Sequence, residues 1–280
     1  MPKNKPSLAE ILEINTLIDV VDIGANPSWD EAPYKTLLDA GLAQVIGFEP
    51  NPDALDRLNS IKGANETYFP DAIYDGKAHE LKVCEHPGMT SLLEPNTELL
   101  KYFHALSNAC KVNERLTIPT VRLDDVKEIT NIDILKIDIQ GGELEVFRNG
   151  INRLRECLVV HTEVEFLPMY EQQPLFSDVD IFLRGLGFTF HRFAPLVSRT
   201  LQPMVIDGDE FKDFSQVIWA DAIFIKDFTK FDQLSSEKLK SLALILHDIY
   251  GSLDIALRAL MAHDHKFMSK LATQYKDLFS

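Results

Sequence analysis

Cysteine is scarce in this 280-residue chain: Cys84, Cys110 and Cys157 are far apart and form no C-x-x-C pair. An odd number of widely spaced thiols argues against a disulfide framework and predicts buried free thiols in a reducing, cytoplasmic compartment. No run of 18 or more apolar residues occurs, so no membrane span is expected. The basic residues of MPKNKPSLAE have no apolar stretch behind them, so no secretory signal is expected there. Clusters of Lys and Arg are missing as well, and 28 basic against 43 acidic residues give a formal net charge of −15. Such a surface repels phosphate backbones at long range, so no nucleic-acid partner is expected. The length suffices for one sizeable α/β domain with a modest appendage.

Short apolar runs at 17–23, 45–49, 80–84, 132–139, 158–166 and 217–225 read as strands. Helical patterns such as PYKTLLDAGL, NPDALDRLN and ELEVFRNGINRLRE fall between most of them. This alternation predicts a doubly wound, mainly parallel sheet with helices on both faces. After about Asp227 the pattern changes: Leu239, Leu242, Leu246 and Ile249 mark one helix face, and two more helical patterns follow Gly251. The expected division is therefore a main domain over 1–228 and a helical extension over 229–280. The extension packs on that domain or on another subunit, as in a homo-oligomer.

Glycine is thin where a nucleotide-binding chain needs it. In VVDIGANPSW the strand runs into Gly24, but Asn26 and Trp29 occupy the other two glycine positions of G-x-G-x-x-G. A pyrophosphate cradle is thus not written here. The acids that end the strands are present instead. Asp22 precedes Gly24; Glu49 ends VIGFEPNPDAL, where Asp53 suits the opening of a helix; Asp71 and Ala72 lie in FPDAIYDG; Asp138 lies in LKIDIQGGE. Glu49 suits the hydroxyls of a ribose, Asp22 suits an ammonium, and free backbone amides at Ala25 and Asn26 suit a carboxylate. D-x-G-A-N followed by a strand-end acid favours S-adenosylmethionine over a nicotinamide cofactor.

These segments also carry a family resemblance. VVDIGAN, GFEPNPDAL, GMTSLLEPN, TVRLDDV, ILKIDIQGGELEVFRNG and VVHTEVEFLPMYEQQPLFSDVDIFLRGLGFTFHRF occur in this order between about Leu17 and Asp227. Together they closely resemble the FkbM family of S-adenosylmethionine-dependent methyltransferases. The resemblance implies a seven-stranded Rossmann-like methyltransferase sheet whose last strand, VIWADAIFI, is antiparallel. It implies O-methylation of hydroxyls on polyketides, sugars or glycans. It places Lys136 and Asp138 near the cofactor and maps the family's acidic strand-end position to Glu163; the cofactor-binding candidates are Asp22, Gly24, Ala25, Asn26, Glu49, Asn51, Asp71, Ala72 and Asp138. Pro27, Ser28 and Trp29 stand where the family often has a second glycine.

Methyl transfer to an alcohol needs an aligned oxygen and somewhere for its proton to go. Alternate residues of VVHTEVEF share a face, which groups His161, Glu163 and Glu165. His161 has the ordinary pKa of a base near neutrality, and Glu163 either orients it or acts itself if burial raises its pKa. With Asp138, these are the catalytic candidates. Lys136 shares a strand face with Asp138 and reads as its ion-pair partner. Glu143, in the first turn of a helix, reads as a dipole partner. A divalent-metal set of Asp138, His161 and Glu163 has no close-spaced ligand signature behind it, so no metal ligand is assigned. The loop PGMTSLLEPN around Ser91 reads as a lid or substrate-side loop, and Tyr170 as an acceptor-pocket or core tyrosine. The tail histidines His247, His263 and His265 read as solvated. A nicotinamide-dependent oxidoreductase and a catalytically inactive cofactor-binding subunit are the competing functions. EPNP lacks the adjacent prolines and the aromatic of N-P-P-Y/F, the motif of exocyclic-amine methylation in nucleic acids.

Overall fold

The computed structural model describes residues 6–27 and 31–279. Ser28 and Trp29, which bear on the missing glycines, lie outside the described residues. The strands are β1 (Ile18–Ile23), β2 (Ala43–Phe48), β3 (Glu66–Phe69), β4 (Ala72–Tyr74), β5 (Ala78–Cys84), β6 (Val112–Arg122), β7 (Ile134–Ile137), β8 (Val159–Glu165), β9 (Phe188–Arg199) and β10 (Gln216–Lys226). The helices are α1 (Leu8–Leu12), α2 (Lys35–Asp39), α3 (Pro52–Ile61), α4 (Thr97–Leu100), α5 (His104–Ala109), α6 (Glu143–Arg148), α7 (Ile151–Glu156), α8 (Phe176–Gly185), α9 (Ser236–Asp248), α10 (Leu253–Phe267) and α11 (Leu271–Asp277).

A seven-stranded sheet runs in the order β3-β2-β1-β7-β8-β10-β9. The pairs β2–β3, β1–β2, β1–β7 and β7–β8 are parallel. β10 is antiparallel to both its neighbours, β8 and β9, as expected for VIWADAIFI. A three-stranded sheet, β4-β6-β5, stands beside it. The strand expected at 80–84 belongs to this smaller sheet and not to the main one. β6 and β9 were not legible as apolar runs, because most of β6 is exposed and β9 is interrupted by Arg192 and Pro195.

β1 shows why the sheet is buried on both faces. Its Ile18 and Val20 join one core, and its Val21 and Ile23 join the other. On the second face lie Leu144 and Phe147 of α6, Leu154 of α7, and Val179 and Leu183 of α8. The pattern ELEVFRNGINRLRE is split into α6 and α7 at Asn149–Gly150. On the first face α2 has only five residues and cannot cover the sheet. The C-terminal helices do so. Leu239, Leu242, Ala243, Leu244, Ile245 and Leu246 of α9 are all fully buried, as in a helix enclosed on every side. They share a core with Ile18, Val45, Ile134, Val159, Ile223 and Ile225 of the sheet. The buried apolar face of α9 is therefore covered within this chain, while Leu253, Met261 and Phe267 of α10 stay exposed.

Local signals explain two further details. Asn51, not Asp53, caps α3: its Oδ1 accepts from the amides of Asp53 and Ala54, and Pro52 takes the first helical position. His263 is buried, not solvated; Ser236 and Ser269 lie 2.9 and 2.7 Å from its two ring nitrogens. His247 bonds Tyr275 Oη at 2.9 Å, whereas His265 is exposed. All three cysteines are free and buried. No helix of the described residues is long and apolar enough to cross a membrane.

Candidate active site

The carboxyl ends of β1, β7 and β8 open into a cleft of about 460 Å³. Asp22, Gly24, Asn26, Lys136, Asp138 and His161 form its floor, and Asp221 of β10 joins them. The sheet register explains the grouping. Asp22 pairs with Lys136, and Lys136 pairs with His161, so three polar side chains stand in one row across three adjacent strands. Below them Val20, Ile134 and Val159 form an apolar row facing the C-terminal helices.

Gly24 makes the close approach of β1 and β7 feasible. Its φ is +78°, and an added Cβ would fall 2.0 Å from the carbonyl oxygen of Asp138. The turn differs from expectation in one respect. The amides of Ala25 and Asn26 are not free for a ligand carboxylate: Ala25 donates to Phe48 O at 3.1 Å and Asn26 to Gly24 O at 2.8 Å. The tight turn satisfies its own amides, as buried backbone must.

Asp22 is 3 % exposed, and its Oδ2 accepts a 2.6 Å hydrogen bond from Tyr34. Its Oδ1 accepts no directed hydrogen bond, although the Lys136 ammonium lies 3.3 Å away. Lys136 thus pairs with Asp22 and not, as its strand face had suggested, with Asp138. Burial opposes its charge, but Asp22, Asp138 and Asp221 outweigh that and raise its pKa. Glu49 is buried beyond β2, close enough to Asp22 and Lys136 to feel their charges. Burial raises its pKa, opposed by the Asn51 amide that donates to Oε1 at 2.8 Å. Asp71 is exposed and Ala72 half-buried beyond the end of β3. The Asn51 side-chain oxygen is committed to capping α3.

A second polar cluster sits beside the cleft. Gln140, with φ +61°, donates from Nε2 to Asp138 Oδ1 and to Glu163 Oε2, both at 2.9 Å. Its backbone oxygen accepts from Ser91 Oγ at 2.7 Å, and its Oε1 lies 3.1 Å from Tyr170 Oη. Ser91 and the fully buried Tyr170 therefore hold the Gln140 turn; Tyr170 is a core tyrosine. Glu143 clamps the same turn, its Oε1 accepting from Ile139 N at 2.8 Å and Gly141 N at 3.3 Å. It does more than oppose a helix dipole. Burial pushes Glu143 up to about 7 against the pull of those amides. Glu163 and Glu165 are raised well above the ordinary range, first by burial and then by each other's neighbours Asp138 and Glu143.

The arrangement separates the two base candidates. His161 has Nδ1 3.3 Å from Tyr250 Oη and Nε2 3.4 Å from Asp221 Oδ2, so both ring nitrogens face partners. It is not oriented by Glu163, whose partner is Gln140. Among the described residues, the carboxylates close enough to share a cation are Asp138, Glu143 and Glu163, with oxygens within 4.8 Å, and His161 is not among them. Gln140 and the turn amides already donate into those oxygens. Sequence reading missed Gln140, Tyr34, Tyr250 and Asp221. Gln140 lies inside LKIDIQGGE, and Asp221 is the single acid of an apolar strand.

An open α/β sheet with this strand order, an antiparallel strand next to its edge and acids at its strand ends defines a methyltransferase-type fold. The family profile of the Methyltransferase FkbM domain matches residues 22–190. The chain belongs to the FkbM methyltransferase family. It is 26% identical over 179 residues to the 2-O-methyltransferase NoeI of Sinorhizobium fredii (strain NBRC 101917 / NGR234), over 58% of this chain and 70% of that protein. Among solved structures it is similar to magnesium protoporphyrin IX methyltransferase (ChlM) from Synechocystis PCC 6803 with bound SAM, at 11% identity and a TM-score of 0.38, over 77% of this chain and 75% of that one. It is also similar to precorrin-6y C5,15-methyltransferase from Geobacter metallireducens GS-15, at 15% identity and a TM-score of 0.38, over 81% and 93%.

Proposed function

We propose that this methyltransferase uses S-adenosylmethionine to methylate a hydroxyl of a carbohydrate or another hydroxylated small molecule. The observation that carries the reading is a cleft walled by Asp22, Glu31, Asp138 and Asp221, with Glu49 beside it and the amides of its glycine turn already bonded. A pyrophosphate would meet carboxylates and no free amide cradle there, which disfavours a nicotinamide cofactor. A ligand carrying a sulfonium and an ammonium meets complementary charge at those carboxylates. The relative's name, 2-O-methyltransferase, supports a hydroxyl acceptor.

Bound S-adenosylmethionine supplies an activated methyl group on sulfur. The chain's residues supply the rest. Asp22 holds the amino-acid end and Glu49 the ribose. Glu163 takes the acceptor's proton, because its carboxylate is half-buried, raised in pKa and two residues beyond the row that floors the cleft. Gln140, which also donates to Asp138, holds that carboxylate in place.

Calorimetric titration with S-adenosylhomocysteine and with NADH tests the cofactor. Tight NADH binding without S-adenosylhomocysteine binding overturns the reading. Transfer of labelled methyl to a panel of sugars and polyols tests the acceptor class. Glu163→Gln is expected to lower kcat by about 10²–10⁴-fold while cofactor affinity is kept. Full activity in that variant removes Glu163 from the mechanism.

A further inference from the structure

β9 and β10 are joined by residues 200–215, a segment that leaves the sheet on the side of the cleft. β9 runs in the direction of β8, since both are antiparallel to β10, so its last residues point past the carboxyl ends of the parallel strands. Ala194 and Pro195 of β9 and Asp221 of β10 line the cleft. Gln216 opens β10 and precedes Asp221 by five positions, which sets the base of the segment about 17 Å beyond Asp221.

The segment is fastened. Asp207 and Gly208 both have positive φ, 57° and 77°, and Ile206 bridges Asp209, so the chain reverses there in a tight turn. At the base Arg199 donates to Asp213 at 2.7 Å, and Thr200 donates to the carbonyl of Lys212 at 3.0 Å. On one flank Leu201 bridges Phe103, and the Gln202 amide donates to Tyr102 O at 2.8 Å, which ties the segment to the start of α5. Yet Leu201, Met204, Phe211 and Phe214 stand exposed, as do Leu196 of β9 and Tyr102. Apolar side chains gathered in water on a backbone held this way mark a binding surface.

We propose that this segment receives an apolar chain carried by the methyl acceptor. The substrate is then an amphiphile, with a hydroxylated head in the cleft and an uncharged hydrocarbon tail along residues 196–214. The proposal rests on the hydroxyl-methylation reading above.

Charge and position select this occupant. Asp207, Asp209, Glu210 and Asp213 are exposed among the apolar side chains. Lys212 is the one basic residue of 200–215, and its ammonium lies 3.6 Å from Asp207. A two-fold contact with a second copy would set these acids against themselves. An anionic lipid surface would be repelled by them. An uncharged chain meets neither penalty and gains from every apolar surface it covers. Position agrees, because Asp221 pairs with Glu163 in the sheet. The proposed base and the strand that leads to the segment therefore share one rung, and an acceptor whose hydroxyl lies there has its far end beside the segment.

The test uses paired glycosides of several hexoses, each with a methyl or an octyl aglycone, kept below the micelle concentration of the octyl compound. Transfer of labelled methyl from S-adenosylmethionine is measured on the full chain. Within any pair that is methylated, the octyl member should have a KM lower by about 10-fold or more. Phe211→Ser combined with Phe214→Ser should raise the octyl KM to that of the methyl member, while Tm and S-adenosylhomocysteine affinity are kept. Met204→Ser alone should remove part of the preference. Equal KM values within the pairs, or an octyl preference that survives in the double variant, overturn the proposal while hydroxyl methylation stands. Light scattering and sedimentation with phosphatidylcholine vesicles are run on both proteins. A dimer, or vesicle binding, that the double variant loses assigns the surface to a second copy or a membrane and also overturns the proposal. No transfer to either member of any pair, with S-adenosylhomocysteine still bound, overturns the carbohydrate reading and this proposal with it.

Discussion

Gln140 Nε2 stands 2.9 Å from a carboxylate oxygen of Asp138 and 2.9 Å from one of Glu163, joining two acids through a single amide. A residue with φ +61° and no glycine freedom persists only when its surroundings hold it. Here Ser91, Tyr170 and Glu143 do so from three directions. The amide orientation follows from the acids: nitrogen faces the carboxylates, since oxygen there would repel them.

Removing that amide should therefore be felt as a change in Glu163. Gln140→Leu leaves two neighbouring carboxylates without their common donor, which disfavours the ionised form of Glu163. The basic form needed for proton removal then appears only at higher pH. The expected outcome is a pH–kcat profile whose rising limb moves alkaline, with turnover near neutrality reduced and the alkaline plateau largely kept. An unshifted limb would mean that Gln140 serves only the turn.

The carboxyl cluster also sets how stability depends on pH. Glu143 is raised to about 7, and Glu163 and Glu165 well above their ordinary values, all chiefly by burial. An acid whose folded pKa is raised binds more protons in the folded than in the unfolded state. Its contribution is fully present below the unfolded pKa near 4.5 and is lost as pH rises through the folded value. Thermal stability of the ligand-free protein should thus fall as pH rises from about 5 through 7 and beyond. Glu163→Gln combined with Glu165→Gln should flatten that slope. The check is Tm against pH for both proteins; equal slopes would remove the cluster from the balance.

The central strands and the strand-end acids were legible because their signals are local. Val20, Val21 and Ile23 around Asp22 announce a strand buried on both faces, and Gly24 announces its turn. Glu49 and Asp138 became candidates by asking what ends each strand, and Glu163 by the alternation along VVHTEVEF and the family resemblance. What was not legible depends on residues far apart in the chain. Tyr250 reaches His161 from 89 positions away, and nothing in its local pattern marks it. The amides of Ala25 and Asn26 looked free because their partners, Phe48 O and Gly24 O, are set by how the β1 turn folds against β2. The helices after Asp227 showed apolar faces, but only the shortness of α2 explains which surface they cover.

That covering role gives a stability prediction. Leu244 of α9 is fully buried among sheet and helix side chains. Leu244→Ala should cost about 2–5 kcal/mol, the range for a leucine truncated in a packed core. Denaturant unfolding should show one transition moving as a whole, since α9 and the sheet share that core. A separate early transition confined to the C-terminal helices would show instead that the extension folds as its own unit.

Cofactor binding should release protons. Ligand-free Glu163 is held toward its neutral form by burial and by the acids around it. A sulfonium placed in the neighbouring cleft adds a positive charge, and a nearby opposite charge favours the ionised carboxylate. S-adenosylmethionine should therefore lower the Glu163 pKa on binding, readying the base when the methyl donor is present. S-adenosylhomocysteine lacks the charge on sulfur and should do this less. Titrations near neutral pH in buffers of different ionisation enthalpy measure the protons exchanged. The expected result is a larger release for S-adenosylmethionine than for S-adenosylhomocysteine, with the difference abolished in Glu163→Gln. Equal release for both ligands, or a difference that survives in Glu163→Gln, would mean that the sulfonium does not act on Glu163. The proton acceptor would then have to be sought at Asp138 or Glu165.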